Sequence, residues 1–168
     1  TEMQLPRGTT FVTVYDGSSY NFVVTTTKRP TQNGTSYNYN DVSIVQGTYA
    51  TDSFIFDNQL ANPKFVLSNE RVDKGKMIVS VTSGGATETY TLSTGISNIT
   101  TTSTVYYAQE NEEGYIEIYF GDGTLGKSLL DGDVIDVTYI IVDQDHANGA
   151  SQFALNGVVN GFTNHAVT

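Results

Sequence analysis

The sequence predicts an all-β fold: antiparallel, sandwich-like sheets with long loops and little helix. Three observations carry this. The apolar set favours Val, Ile, Tyr and Phe, and Thr is abundant throughout, which suits pleated, half-buried surfaces better than helices. Short runs alternate polar and apolar with a period of two, the pattern of a strand with one buried face. Sixteen Gly and many Asn and Asp punctuate those runs as turn residues.

Taken in order, residues 10–15 (TFVTVY) alternate, Asp16-Gly17 turns the chain, and residues 20–26 (YNFVVTT) alternate back. This is a hairpin signal, with Ser18 and Ser19 expected to lengthen the loop. Residues 28–40 are polar and carry Pro30 and Asn33-Gly34, so they read as an exposed loop or an extended hairpin tip. Residues 41–49 (DVSIVQGTY) read as a strand with Gly47 as a bulge or bend. Strands are expected at 53–57 (SFIFD) and 64–68 (KFVLS), and a charged turn at 69–75. Residues 77–82 and 87–92 make a second hairpin through Ser83-Gly84-Gly85. The Thr/Ser/Asn/Gly tract 93–104 is a covering loop or short helical turn, and 104–109 (TVYYAQ) is a strand.

The organising stretch is 114–149. Tyr115, Glu117 and Tyr119 point to one side, and Ile116, Ile118 and Phe120 to the other. Gly121-Asp122-Gly123 stops that strand, and Asp131-Gly132-Asp133 is a second stop. Val134, Asp136, Thr138 and Ile140 then alternate with Ile135, Val137, Tyr139 and Ile141, so Asp136 faces outward if Ile135, Val137 and Tyr139 face in. The two strands are expected to pair antiparallel across a long loop. Residues 1–142 are thus a β-rich domain, with 46–104 as an inserted lobe and the strands of 11–26 and 115–142 as the other. Residues 143–168, with short apolar runs between Asn-Gly pairs, are an extended arm or the start of a following domain.

At 168 residues the chain suits one domain, or one domain with a sizeable insertion. With no Cys, neither a disulfide framework nor a thiolate metal site forms. No apolar run approaches the roughly 18 residues of a membrane helix, and TEMQLPRG is unlike a signal peptide. Lacking an initiator Met, the sequence is expected to be a portion of a longer protein. Net charge is −10, and residues 110–168 hold ten of the eighteen acidic residues against Lys127 alone. That balance argues against nucleic-acid binding and fits either a solubilising face or an acidic patch for a basic partner.

The candidate chemistry is thin. His146 and His165 sit in polar segments, and no G-x-S-x-G elbow accompanies them. Asp122, Asp131 and Asp133 are turn formers or, alternatively, ligands of a calcium ion, although no calcium-loop spacing is present. Gly121, Gly123 and Gly126 spell a dinucleotide fingerprint, and GDGTLGKS satisfies the phosphate-loop pattern literally. Both motifs need a following helix N-terminus, which the turn at 131–133 forbids. No catalytic, cofactor or metal residues are therefore assigned. Tyr37 and Tyr39, flanked by Asn in a polar loop, are candidate interface residues.

The segment FGDGTLGKSLLDGDVIDVTY, followed by HANG, resembles the baseplate J-like family of contractile-tailed phages, above all its baseplate wedge proteins. Leu5-Pro6-Arg7-Gly8-Thr9-Thr10-Phe11 resembles the family's L-P-x-G-T-x-F opening strand, and 69–81 is a weaker third likeness. The resemblance implies a non-enzymatic virion protein of the tail baseplate, assembled in the host cytoplasm. It further implies contacts with other wedge proteins and with copies of itself in a sixfold ring, shifting when the sheath contracts. No nucleic acid, membrane or cofactor is implied. In this reading Leu5, Pro6, Gly8, Thr9, Phe120, Gly121, Asp122, Gly123, Gly126, Gly132 and Asp133 hold the fold. The alternative is a carbohydrate-binding or adhesin β-sandwich, calcium-dependent or not, although no Trp is present to form a sugar platform.

Overall fold

Turn chemistry fixes the first strands of the computed structural model, which describes residues 3–142, 147–159, 161 and 167. The chain divides into two compact units: Ala50–Ile141, and the residues on either side of that segment.

In the flanking unit, β1 (Thr10–Tyr15) and β2 (Ser18–Val24) pair antiparallel, with Tyr15 opposite Ser18. Asp16 and Gly17 alone connect them, at φ 49° and 77°, as a two-residue type I′ turn requires. The longer loop expected here is corrected: Asp16 accepts the left-handed conformation, which frees Ser18 and Ser19 for the ladder. Next, β3 (Thr31–Asn33) and β4 (Ser36–Asn38) form a separate two-stranded sheet. β5 (Ile44–Gln46) then adds to β2.

β6 (Thr48–Ile55) leads into the unit Ala50–Ile141. There follow β7 (Phe65–Val66), a 3-10 turn at Lys74–Lys76 capped by the Asp73 carboxylate, β8 (Ile78–Ser83) and β9 (Ala86–Leu92). Then come β10 (Val105–Glu110), β11 (Ile116–Phe120) and β12 (Val134–Ile141). Gly84 and Gly85, both at positive φ, close the tight β8–β9 hairpin. The last strand, β13 (Ala154–Asn156), pairs with β1 in the first sheet, whose order is β13-β1-β2-β5.

The second unit is one seven-stranded sheet in the order β6-β12-β8-β9-β10-β11-β7, antiparallel where β8, β11 and β12 pair but parallel between β9 and β10. β11 and β12 are not neighbours, which corrects the expected pairing within 114–149. The connection 121–133 is too long to impose a hairpin, and β10 and β7 flank β11 while β8 and β6 flank β12. This unit therefore runs beyond the 46–104 segment and takes both strands with it. Its core is Leu67, Val79, Tyr106, Ile118, Ile135, Val137 and Tyr139, among others. As the alternation requires, Ile135, Val137 and Tyr139 are fully buried while Asp136 lies on the other face and accepts a hydrogen bond from the Ser53 hydroxyl.

The sheet curls until its two edges, β6 and β7, approach each other. The closure runs through one carboxylate. Asp52 of β6 accepts hydrogen bonds from the backbone N–H of Ser68 (2.8 Å), the Ser68 hydroxyl (2.8 Å) and the hydroxyl of Tyr139 (2.9 Å). Phe54 and Phe65 pack across the same gap with ring centroids 5.3 Å apart. On the other face of β11, Glu117 is only 7% exposed and accepts from the Lys64 ammonium and the Gln109 amide. These two hydrogen bonds, Lys64 first, hold its carboxyl below the usual glutamate range.

Two outcomes follow from these contacts. Asp52→Ala leaves the fully buried Tyr139 hydroxyl and the Ser68 N–H without their shared acceptor and should lower stability by about 2–4 kcal/mol, read as a fall in denaturant midpoint. Because the folded Glu117 pKa is depressed, its stabilising contribution is present above the ordinary glutamate value and is lost as pH falls through the lower folded value. Thermal melts below pH 5 should therefore show a steeper loss for the unmodified chain than for Glu117→Gln; parallel curves would overturn this.

Candidate functional site

The glycine-rich segment between β11 and β12 carries most of the chemistry the sequence suggested. Phe120, at the end of β11, packs edge-on against Tyr90 and Phe65. Gly121 bridges to Ser128, and the loop folds back so closely that a Cβ at Gly121 would stand 2.5 Å from the Gly126 carbonyl carbon and from the Leu125 oxygen. Only glycine fits there. The Asp122 carboxylate accepts from the N–H groups of Leu125 (3.1 Å) and Thr124 (2.8 Å), and these hold its pKa below the ordinary aspartate value.

The rest of the loop is equally committed. Gly123 N–H donates to the Gly126 carbonyl, Gly126 N–H to Thr100 and Lys127 N–H to Ser103, at 3.1, 3.1 and 2.8 Å. Gly126 sits at φ 97° with the Val105 methyl against it. The Lys127 ammonium pairs with Glu88. A phosphate loop binds its ligand with free N–H groups at a helix N-terminus. Here every N–H from 123 to 127 has an acceptor within the chain, and β12 follows instead of a helix. The nucleotide reading of GDGTLGKS and of the three glycines has no donors left to support it.

The second turn is built the same way. Gly132, at φ 81°, donates its N–H to the Phe56 carbonyl, and the Asp133 carbonyl accepts from Phe56 N–H, both at 2.9 Å. The Asp133 carboxylate, 6% exposed, accepts from Leu130 N–H at 2.8 Å, and Asp131 accepts from Asn58 N–H at 3.1 Å. Asp122, Asp131 and Asp133 thus act as turn acceptors. Among the described residues no group of three or more His, Cys, Asp or Glu is placed to hold a metal ion.

The N-terminal motif also ties down backbone. Leu5 is buried and exchanges both backbone hydrogen bonds with Lys28. The Pro6 carbonyl accepts from both the N–H and the hydroxyl of Thr9, while the Thr9 carbonyl accepts from Val24 N–H. Gly8, at φ 87°, donates to Val24 and lies against the Tyr49 ring. Arg7 donates to the Tyr49 hydroxyl at 2.7 Å.

The two candidate interface tyrosines separate. Tyr37 lies on β4, is 41% exposed and stands opposite Gln32, whereas Tyr39 packs against the core of its unit beside Val42 and Ile44. His146 and His165 lie outside the described residues.

Sequence reasoning missed Asp52 and the Lys64–Glu117–Gln109 cluster. The signal for Asp52 was present: Ala50, Asp52, Phe54 and Phe56 share one face of the alternation, and a carboxylate on that inward face needs donors. Beginning the strand at Ser53 hid it. Glu117 gave no such signal for Lys64, 53 residues away in sequence, although Gln109 faces it across the local β10–β11 hairpin.

The glycine geometry makes a paired prediction. Gly121→Ala, which drives a methyl into backbone, should cost about 3 kcal/mol or more. Gly132→Ala meets open space and bears only the left-handed penalty, about 1–2 kcal/mol. Denaturant unfolding of the two variants checks the order.

The third domain of bacteriophage baseplate wedge protein gp6 defines a family whose sequence model matches residues 48–143, more than half of the chain. The match takes in both glycine-rich turns and every strand of the closed sheet, and it leaves the Leu5–Phe11 likeness outside. No curated relative matches the chain. With the turns, the sheet and this match together, the chain belongs to the family of the third domain of the bacteriophage baseplate wedge protein gp6.

Proposed function

We propose that this chain is a non-catalytic structural segment of a tail baseplate wedge, related through its FGDG and LPRGTTF segments to the baseplate J-like proteins. It assembles in the host cytoplasm with other wedge proteins and with copies of itself, in sixfold symmetry around the tail hub. Its contacts rearrange when the sheath contracts. The observation that carries this reading is the family match, which supports a structural role in the phage baseplate and a place in the tail of the virion. The geometry agrees with it. The carboxylates and glycines that suggested nucleotide or calcium chemistry are engaged in turns, and Lys127 is paired. What remains for a partner is surface: Ile55, Leu60 and Leu130 are more than half exposed.

Quantitative peptide mass spectrometry on purified contractile tails tests this. Peptides of this chain are expected in whole-number ratio to the other wedge subunits, six or a multiple of six per baseplate. Finding the protein only in soluble fractions, and not in intact particles, would overturn the reading.

A further inference from the structure

The sequence holds four Asn-Gly pairs, at 33–34, 148–149, 156–157 and 160–161. Such a pair can react with itself. With no side chain on the glycine, nothing shields its peptide nitrogen from the asparagine carboxamide one residue back. In a folded chain the rate then depends on whether the backbone is free to turn that nitrogen onto the side chain. At 148–149 it is held. Ala150 N–H closes a turn onto the Ala147 carbonyl at 3.1 Å, and a Cβ at Gly149 would stand 3.3 Å from the Tyr15 hydroxyl. Asn156 lies on β13, opposite Thr10 in the four-stranded sheet. Asn160 lies outside the described residues.

Asn33 differs on each count. It ends β3 opposite Ser36, in a sheet of only two strands, and residues 31–38 are all exposed. Gly34, at φ 62°, opens the two-residue turn and has open space where a Cβ would stand. Among the described residues, neither the Gly34 N–H nor the Asn33 carboxamide has a hydrogen-bond partner. An isolated two-stranded hairpin is marginal in water, so its tip opens at little cost.

We propose that Asn33 is a site of spontaneous covalent modification, deamidating through a cyclic imide with Gly34. The Gly34 nitrogen gives its proton to hydroxide and attacks Asn33 Cγ. The Cγ–Nδ2 bond breaks, and the side-chain nitrogen takes up a proton and leaves as ammonia. Water then opens the imide, and nothing is oxidised or reduced. Opening at Cγ leaves an ordinary aspartate, whereas opening at the main-chain carbonyl leaves a β-linked aspartate whose chain runs through Cγ. Either product places a carboxylate in residues 31–40, which hold no charged residue. The β-linked product also inserts one carbon into the main chain ahead of Gly34, so position 33 loses its register with Ser36. The hairpin tip is thereby remodelled in one direction as the chain ages. This goes beyond the wedge reading and does not depend on it.

Timed incubation of the 168-residue chain in mildly alkaline buffer, followed by peptide mass mapping, tests this. In the folded chain Asn33 should convert first, at least about tenfold faster than Asn148 or Asn156. Ammonia should appear in step with the modified peptide, and faster as pH rises, because attack needs the deprotonated nitrogen. In denaturant, where the turns and sheets are lost, the three sites should converge on similar rates. Asn33→Gln, whose longer side chain closes on the next nitrogen far less readily, should remove the early acidic product, with circular dichroism showing the fold unchanged. A folded-chain rate at Asn33 no greater than at Asn148 or Asn156 overturns the proposal, as does an early acidic product that survives Asn33→Gln. A preference for Asn33 that persists undiminished in denaturant overturns the assignment of the cause to the hairpin.

Discussion

The unit Ala50–Ile141 depends on closing a sheet whose two edge strands have no regular ladder between them. A seven-stranded sheet left open would expose β6 and β7 as pairing edges and admit water between Phe54 and Phe65. Asp52 resolves this by replacing a missing row of backbone bonds with a side chain. Its carboxylate takes the Ser68 N–H and hydroxyl beyond β7 and the Tyr139 hydroxyl of β12. It thereby supplies the acceptor that lets Tyr139, fully buried, bring its hydroxyl into the core. A carboxylate serves better than an amide, because it offers only acceptors and all three partners donate.

The acidity of the chain takes a different meaning once its carboxylates are placed. Asp73 caps a 3-10 turn, Asp122 and Asp133 receive the backbone of their own loops, and Asp131 and Asp136 receive neighbouring segments. Except for Asp136, which accepts the Ser53 hydroxyl from one strand to another, each offsets a backbone donor that an irregular connection would otherwise leave without a partner. Part of the negative charge thus answers the donors of irregular connections in an all-β chain. Such connections need acceptors, and the short aspartate carboxylate reaches back to nearby backbone.

How much of this could be read in advance follows the range of each interaction. Strands and turns were legible because period-two alternation and the Asp-Gly and Gly-Gly pairs act within a few residues. The turn at Asp122 acts over the same short range, its carboxylate accepting from Thr124 and Leu125, whereas Gly126 donates to distant Thr100. The neighbours of β11 were not. Tyr107 faces Tyr119 across a local turn, but Val66 faces Glu117 from the far side of the sequence, and nothing in either strand announces the other. Lys64 meets Glu117 only after that pairing is set, whereas Gln109 already faces it across the β10–β11 hairpin. At Ser18 and Ser19 the expected longer loop gives way to a two-residue turn, because Asp16 tolerates positive φ better than most residues.

Edge management follows strand length in this protein. In the unit Ala50–Ile141 the edges are joined by Asp52 and shielded by aromatic packing. In the first sheet the edge strands β5 and β13 are three residues each, too short to template much pairing. The two-stranded sheet uses the same device, since β3 and β4 are also three residues each. Shortness thus limits every open edge that no side chain closes, and only the long edge strand β6 of the unit Ala50–Ile141 needs a side-chain acceptor to join it.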